Sequence, residues 1–104
     1  MAASYDLAGS TALVTGSGGD IGRTVAVRLA DSGAAVVLTD LDRAAEGLER
    51  TRAECVSAGD ERVVVVPADV TDAASVAACF ETASGRLGTP DLVFNNAGVQ
   101  GELL

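Results

Sequence analysis

A run of glycines follows the first apolar segment of the chain, in the order Thr15-Gly16-Ser17-Gly18-Gly19-Asp20-Ile21-Gly22. Glycine has no Cβ, so it tolerates positive φ and lets main-chain N–H groups come close to a ligand. Where such a turn leads from a strand into a helix, the free amides and the positive helix end together attract an anion. The segment therefore predicts a seat, or binding site, for the pyrophosphate of a dinucleotide. The alternative is that the glycines only make a tight connection between a strand and a helix. The residues assigned to this seat are Gly16, Ser17, Gly18, Gly19, Asp20, Ile21 and Gly22.

Two residues of this segment have a second interpretation. The carboxylate of Asp20 repels a pyrophosphate, so we expect Asp20 to turn toward its own helix as the N-cap. Ile21 is expected to be a core residue of that helix, and a place in the wall beneath the cofactor is the alternative.

The second apolar segment is followed directly by a carboxylate, that of Asp40. This residue lies 18 positions after Gly22. At this point a carboxylate can accept hydrogen bonds from both hydroxyls of an adenosine ribose, and it repels a 2′-phosphate. No arginine lies in the glycine segment, so we predict NAD rather than NADP, with Leu41 included in the site. Arg43 is the residue that would favour NADP. The alternative for Asp40 is a cap on the next helix, for which Asp42 is better placed.

The composition excludes several functions. The 104 residues carry a net charge of -8 and contain no histidine and no lysine, which excludes histidine triads, lysine-assisted catalysis and a basic nucleic-acid face. Cys55 and Cys79 alone do not make a metal site. Neither a basic, apolar leader nor a membrane-length apolar run is present, so the expected location is the cytoplasm.

Four β-branched runs, at residues 11–15, 35–39, 62–68 and 91–94, are nearly continuous in hydrophobicity, which is typical of a parallel sheet buried on both faces. The segments between these runs have apolar residues at the spacing of amphipathic helices. The predicted inner faces of the three helices are Ile21, Val25 and Leu29; Ala45, Leu48, Thr51 and Cys55; and Val76, Cys79 or Phe80, Ala83 and Leu87. The predicted helix starts include Asp42 and the pair Thr71-Asp72, and the stops are Gly33, Gly59 and Gly88.

These elements predict an α/β fold, a partial Rossmann domain over residues 1–104. Its four parallel strands take the order 3-2-1-4, with the first two helices on one face and the third on the other. Cys55 and Cys79 then lie on opposite faces and cannot form a disulfide. The fourth strand is expected to leave an apolar edge that favours self-association.

Several segments resemble the short-chain dehydrogenase/reductase family over essentially the whole chain. Residues 6–16 look like the family's approach to its first strand, and Asp69-Val70 resembles the pair that borders the adenine ring. The run 95–98 matches the family's Asn-Asn-Ala-Gly motif, although two asparagines at a strand end are also common turn residues. The residues that the resemblance adds to the cofactor cleft are Asp69, Val70, Asn96, Ala97 and Gly98.

The chain departs from the family pattern at two points. Position 20 is aspartate where the classical pattern has glycine, and the spacing of Gly16, Gly19 and Gly22 instead fits the extended subgroup. The family's catalytic serine and Tyr-x-x-x-Lys pair lie past Leu104, and Tyr5 cannot replace that tyrosine. The resemblance thus implies the N-terminal part of an NAD-dependent oxidoreductase for an alcohol or carbonyl substrate. This part alone is expected to be inactive, and the parent to be a homo-oligomer.

Two other functions remain open from the sequence. One is a module that binds an adenine nucleotide and catalyses nothing, because only the adenosine-side contacts are present. The other is an S-adenosylmethionine methyltransferase, which also uses a glycine turn and an acid after the second strand.

Overall fold

The computed structural model describes residues 7–59 and 61–96. Strands and helices alternate, and a short 3-10 turn at Asp42–Ala44 precedes the second helix. The elements are β1 (Thr11–Thr15), α1 (Asp20–Asp31), β2 (Ala35–Thr39), α2 (Ala45–Ala58), β3 (Val63–Val65), α3 (Ala73–Leu87) and β4 (Leu92–Phe94). All pairings are parallel, in the order β3-β2-β1-β4. The predicted fold and strand order are confirmed.

The third and fourth strands are shorter than predicted. The chain after Val65 still lies beside β2, because the amides of Val66 and Ala68 donate to the carbonyls of Leu38 and Asp40 at 2.9 and 3.0 Å. Pro67 between them has no N–H, which an edge position of the sheet tolerates.

The sheet separates two hydrophobic cores. Residues of α1 and α2 pack on Ala12 and Val14, whereas residues of α3 pack on Leu13. Cys55 belongs to the first core and Cys79 to the second; both are buried and free, as predicted. Burial, with a smaller contribution from the charge of Glu54, raises the pKa of Cys55 to about 11. These thiols therefore behave as small apolar core groups.

The most buried face of α1 is shifted by one position along the sequence from the predicted face. Gly22, Ala26 and Ala30 are buried, whereas Ile21 is 69% exposed, so the expectation that Ile21 lies in the core was wrong. The cause is a close approach, since a Cβ on Gly22 would lie 2.3 Å from the carbonyl oxygen of Gly16. The helix therefore turns its smallest side chains toward the sheet.

Of the predicted caps, Asp72 is confirmed, because its side chain accepts from the amide of Ala74 at 3.0 Å. The N-cap of α1 is Gly19, not Asp20, and α2 begins at Ala45 after the 3-10 turn instead of at Asp42. The predicted stops hold, as glycines follow or cap the C-terminal end of each helix. Leu48, Thr51 and Cys55 form the buried face of α2.

The residues of β4 are exposed instead of buried. Leu92, Val93 and Phe94 have 41%, 53% and 44% of their surface accessible, because nothing among the described residues lies beyond this edge. In the described ranges, no helix has the length and apolar character needed to cross a membrane.

Candidate nucleotide-binding site

The predicted site residues that the structure describes lie at the carboxyl edge of the parallel sheet. β1 leads into the glycine turn, β2 into Asp40, β3 into Asp69 and β4 into Asn95. The amide of Ala68 donates to the Asp40 carbonyl at 3.0 Å, and the Thr15 hydroxyl donates to the Asn95 side-chain oxygen at 3.1 Å. Four separate chain segments therefore border one edge.

The turn after β1 presents the start of α1 to this edge. Gly16 has a φ of 68°, and the Gly19 amide donates back to its carbonyl at 3.2 Å. The first helical bond of α1 runs from the Arg23 amide to the Gly19 carbonyl at 2.9 Å. The amides of the three preceding residues therefore have no acceptor within the helix, and no described side chain caps them. They can hold an anionic group.

Asp40 is half-buried and lies against the glycine turn. One oxygen of its carboxylate accepts from the Gly18 amide at 3.0 Å, and the other accepts from the Leu41 amide at 2.8 Å. A Cβ on Gly18 would lie 3.0 Å from the first of these oxygens, so only glycine leaves this contact relaxed. Each oxygen keeps a second lone pair, which a ribose hydroxyl can use.

Asp69 is largely engaged in its own turn. One carboxylate oxygen accepts from the amide and the hydroxyl of Thr71 at 2.9 and 2.6 Å, and these bonds, the hydroxyl first, lower the pKa of Asp69. The main-chain amide of Asp69 donates to the Ser75 hydroxyl at 2.9 Å. The adjacent Val70 is 38% exposed and lines a cavity of about 250 Å³ between the sheet and α3.

The Asn-Asn-Ala-Gly run is described only in its first half. The side chain of Asn95 joins β4 to the end of β1 through Thr15, and the amide of Asn96 donates to the Phe94 carbonyl at 3.1 Å. Ala97 and Gly98, which the sequence assigned to the cofactor cleft, lie outside the described residues.

Arg23 is a site residue that the sequence reasoning missed. Its guanidinium binds the Asp20 carboxylate at 2.9 Å, the Gly18 carbonyl at 3.0 Å and the Thr51 hydroxyl at 3.1 Å, and only 12% of its side chain is exposed. The spacing of Asp20 and Arg23 on one helix was a signal for the ion pair. Asp20 thus lies beside a positive charge, which offsets its repulsion of an anion.

A parallel sheet whose first strand leads through a glycine turn into a helix defines the first half of a Rossmann-type, doubly wound nucleotide-binding domain. The chain belongs to the short chain dehydrogenase family, whose sequence pattern matches residues 10–103.

Known proteins of similar sequence and structure are dehydrogenases and reductases. The chain is 48% identical over 92 residues to 1-deoxy-11-beta-hydroxypentalenate dehydrogenase from Streptomyces avermitilis, covering 88% of this chain and 33% of that protein. It is 43% identical over 91 residues to levodione reductase from Leifsonia aquatica, covering 86% and 33%. A structure of NAD+-bound xylitol dehydrogenase superposes with a TM-score of 0.82 at 38% identity, covering 90% of this chain and 35% of that one. The chain therefore spans about a third of the length of these relatives.

Proposed function

We propose that this chain forms the adenosine and pyrophosphate half of the NAD site of a short-chain oxidoreductase. The parent would transfer hydride between NAD and a small alcohol or carbonyl compound. The observation that carries the proposal is the contact between the Asp40 carboxylate and the Gly18 amide at 3.0 Å. It supports the proposal because a carboxylate able to accept from a ribose then lies directly beside the candidate anion-binding turn. The methyltransferase alternative is not favoured by the family match.

The site residues of this proposal are those that border the carboxyl edge of the sheet. Amides at the start of α1 would bind the pyrophosphate, Asp40 and Leu41 would border the ribose, and Asp69 with Val70 would border the adenine. Ile21, which is 69% exposed beside the anion seat, is free to contact the cofactor. Asn96, Ala97 and Gly98 keep the role that the family resemblance gives them. A bound dinucleotide would supply the hydride acceptor or donor.

The preference for NAD over NADP rests on charge. A 2′-phosphate on the adenosine ribose would lie against the Asp40 carboxylate, and like charges at that distance repel. The guanidinium of Arg23 is already engaged by Asp20, Gly18 and Thr51, so we do not assign it to a 2′-phosphate. The NAD+-bound xylitol dehydrogenase among the similar structures supports this choice.

The Asp40→Ala variant tests the proposal. Loss of hydrogen bonds to a charged acceptor is expected to weaken ADP-ribose binding by roughly one to two powers of ten, from ~1.5–3 kcal/mol. Calorimetric titration of the 104-residue chain measures it. Asp42→Ala, on the exposed 3-10 turn, is the matched control and should bind as the wild type does. Equal affinities of the Asp40→Ala variant and the wild type would show that Asp40 is not the ribose ligand.

We further propose that the 104 residues alone do not transfer hydride. The chain contains no lysine, and its single tyrosine, Tyr5, precedes β1, so no residue can play the part of the family's Tyr-x-x-x-Lys pair. Incubation of the purified chain with NAD and simple alcohols is expected to give no more NADH absorbance than a blank without protein. Turnover above that blank would refute the proposal. The parent is expected to be a cytoplasmic homo-oligomer with a small-molecule substrate.

A non-catalytic adenine-nucleotide module is the second candidate, because the described contacts all lie on the adenosine side. It requires that ADP-ribose bind as tightly as NAD, since nothing would contact the nicotinamide. In the same titrations, a much tighter binding of NAD than of ADP-ribose would exclude the module, whereas equal binding is also expected of the adenosine half of an NAD site.

A further inference from the structure

Thr51 is a buried hydroxyl of α2 that reaches the glycine turn. It is 0% exposed, and its oxygen lies 2.6 Å from the carbonyl of Ser17 and 3.0 Å from that of Gly47. The Gly47 carbonyl lies one helical turn back and already belongs to the helix ladder, so the single hydroxyl proton goes to the shorter contact with Ser17. The same oxygen accepts from Nε of Arg23 at 3.1 Å.

The carbonyl of Ser17 shares a peptide plane with the amide of Gly18. In a trans peptide the C=O and N–H point in opposite directions, so an anchor on one fixes the direction of the other. Thr51 holds the Ser17 carbonyl on one side, and on the other side the Gly18 amide donates to Asp40 at 3.0 Å. A hydroxyl on α2 and the Asp40 carboxylate therefore hold the two sides of the same peptide.

Arg23 fixes the next peptide plane in the same way. Its Nη2 holds the Gly18 carbonyl at 3.0 Å, while the Gly19 amide in that plane donates to Gly16 at 3.2 Å. The helix α2 is also pressed close to the turn, because a Cβ on Gly47 would lie 2.3 Å from the Gly18 carbonyl oxygen. Thr51 and Arg23 thus leave little freedom to the two peptides.

We propose that Thr51, supported by Arg23, is a positioning residue that orients Asp40 for the adenosine ribose through the Ser17–Gly18 peptide. The inference rests on the proposed nucleotide site and extends it to a residue that contacts neither the ligand nor Asp40. It also explains why a polar side chain occupies the buried face of α2 beside Leu48 and Cys55.

The test measures the preference of the 104-residue chain for ADP over 2′-deoxy-ADP by calorimetry. This ratio reports the ribose hydroxyl contact and is not changed by a uniform loss of affinity. We expect roughly a tenfold preference in the wild type, as for one hydrogen bond to a charged acceptor. Thr51→Val keeps the shape without the hydroxyl and should bring the ratio close to one, whereas Thr51→Ser should retain the wild-type ratio.

Thr24→Val is the matched control. Its hydroxyl makes the same kind of bond one turn back in a helix, to the Asp20 carbonyl at 3.0 Å, but it is exposed and bonds neither to the Ser17 nor to the Gly18 carbonyl. It should keep the wild-type ratio. If Thr51→Val does not fold, as judged by circular dichroism, Arg23→Met provides the second variant and should also lower the ratio.

The inference is overturned if a folded Thr51→Val or Arg23→Met chain keeps the wild-type preference, or if Thr24→Val loses it to the same extent. A wild-type chain that binds neither nucleotide would overturn the proposed function first, and the positioning role with it. The two failures are therefore distinguishable.

Discussion

Replacement of Gly22 by alanine is expected to abolish nucleotide binding and to lower the melting temperature by on the order of 10 °C. The new Cβ would lie 2.3 Å from the Gly16 carbonyl oxygen and 2.8 Å from Cα of Ser17, which is roughly 1 Å short of ordinary contact. Both atoms belong to backbone, so the strain cannot be relieved by a side-chain rotation. Overpacking of this kind costs about 1–3 kcal/mol, and one kcal/mol shifts the melting temperature of such a domain by roughly 4–8 °C.

Gly85→Ala is the matched control for Gly22→Ala. Gly85 also lies within a helix, but a Cβ there would meet nothing within 4 Å. Alanine has the higher helix propensity by up to about 1 kcal/mol, so the melting temperature should rise by a few degrees instead of falling. Thermal melts followed by circular dichroism measure the change in melting temperature of both variants. A Gly22→Ala chain that melts as the wild type does and still binds ADP-ribose would show that α1 does not need this close approach.

The same close approach explains why the sequence predicted the inner face of α1 less well than the strands. Continuous apolar runs located all four strands, and β1 and β2 have the predicted bounds. In α1, Val25 and Leu29 pack against the core as predicted, but Ile21 does not. The most buried face is instead that of Gly22, Ala26 and Ala30, and Gly22 lies close to the backbone of Gly16. Hydrophobic periodicity measures the transfer of side chains from water, and it does not measure how near two backbones can come.

The candidate site was predicted as a set of segments but not as a network. Gly16 to Gly22 and Asp40 were recognisable because each stands at the end of an apolar run, and parallel strands bring such ends together. Asn96 was assigned to the site only because residues 95–98 resemble the family's motif. The bond from Arg23 to Thr51 joins residues 28 positions apart, on two helices whose relative rotation no local pattern gives. The cap assigned to Asp20 failed for a related reason, since its carboxylate instead pairs with Arg23.

The exposed strand β4 gives the last prediction, which concerns self-association. A parallel sheet is normally covered on both faces, yet Val93 is 53% exposed and its neighbours Leu92 and Phe94 are more than 40% exposed. The strand also forms the edge of the described sheet, where unpaired main-chain groups can join another strand. The wild-type chain is therefore expected to form dimers or larger species as its concentration rises.

Val93→Lys should shift this equilibrium toward monomer, because a lysine on an edge strand must lose its hydration when a second strand pairs with it. Ala53→Lys adds the same charge on the exposed side of α2, which packs against the other face of the sheet, and should associate as the wild type does. Light scattering after size exclusion, over a range of concentrations, distinguishes the three chains. A wild-type chain that stays monomeric throughout would contradict the prediction. Loss of association in both variants would contradict a specific role for the surface of β4. Each variant has one negative charge less than the wild-type -8, which by itself weakens the repulsion between chains and favours association.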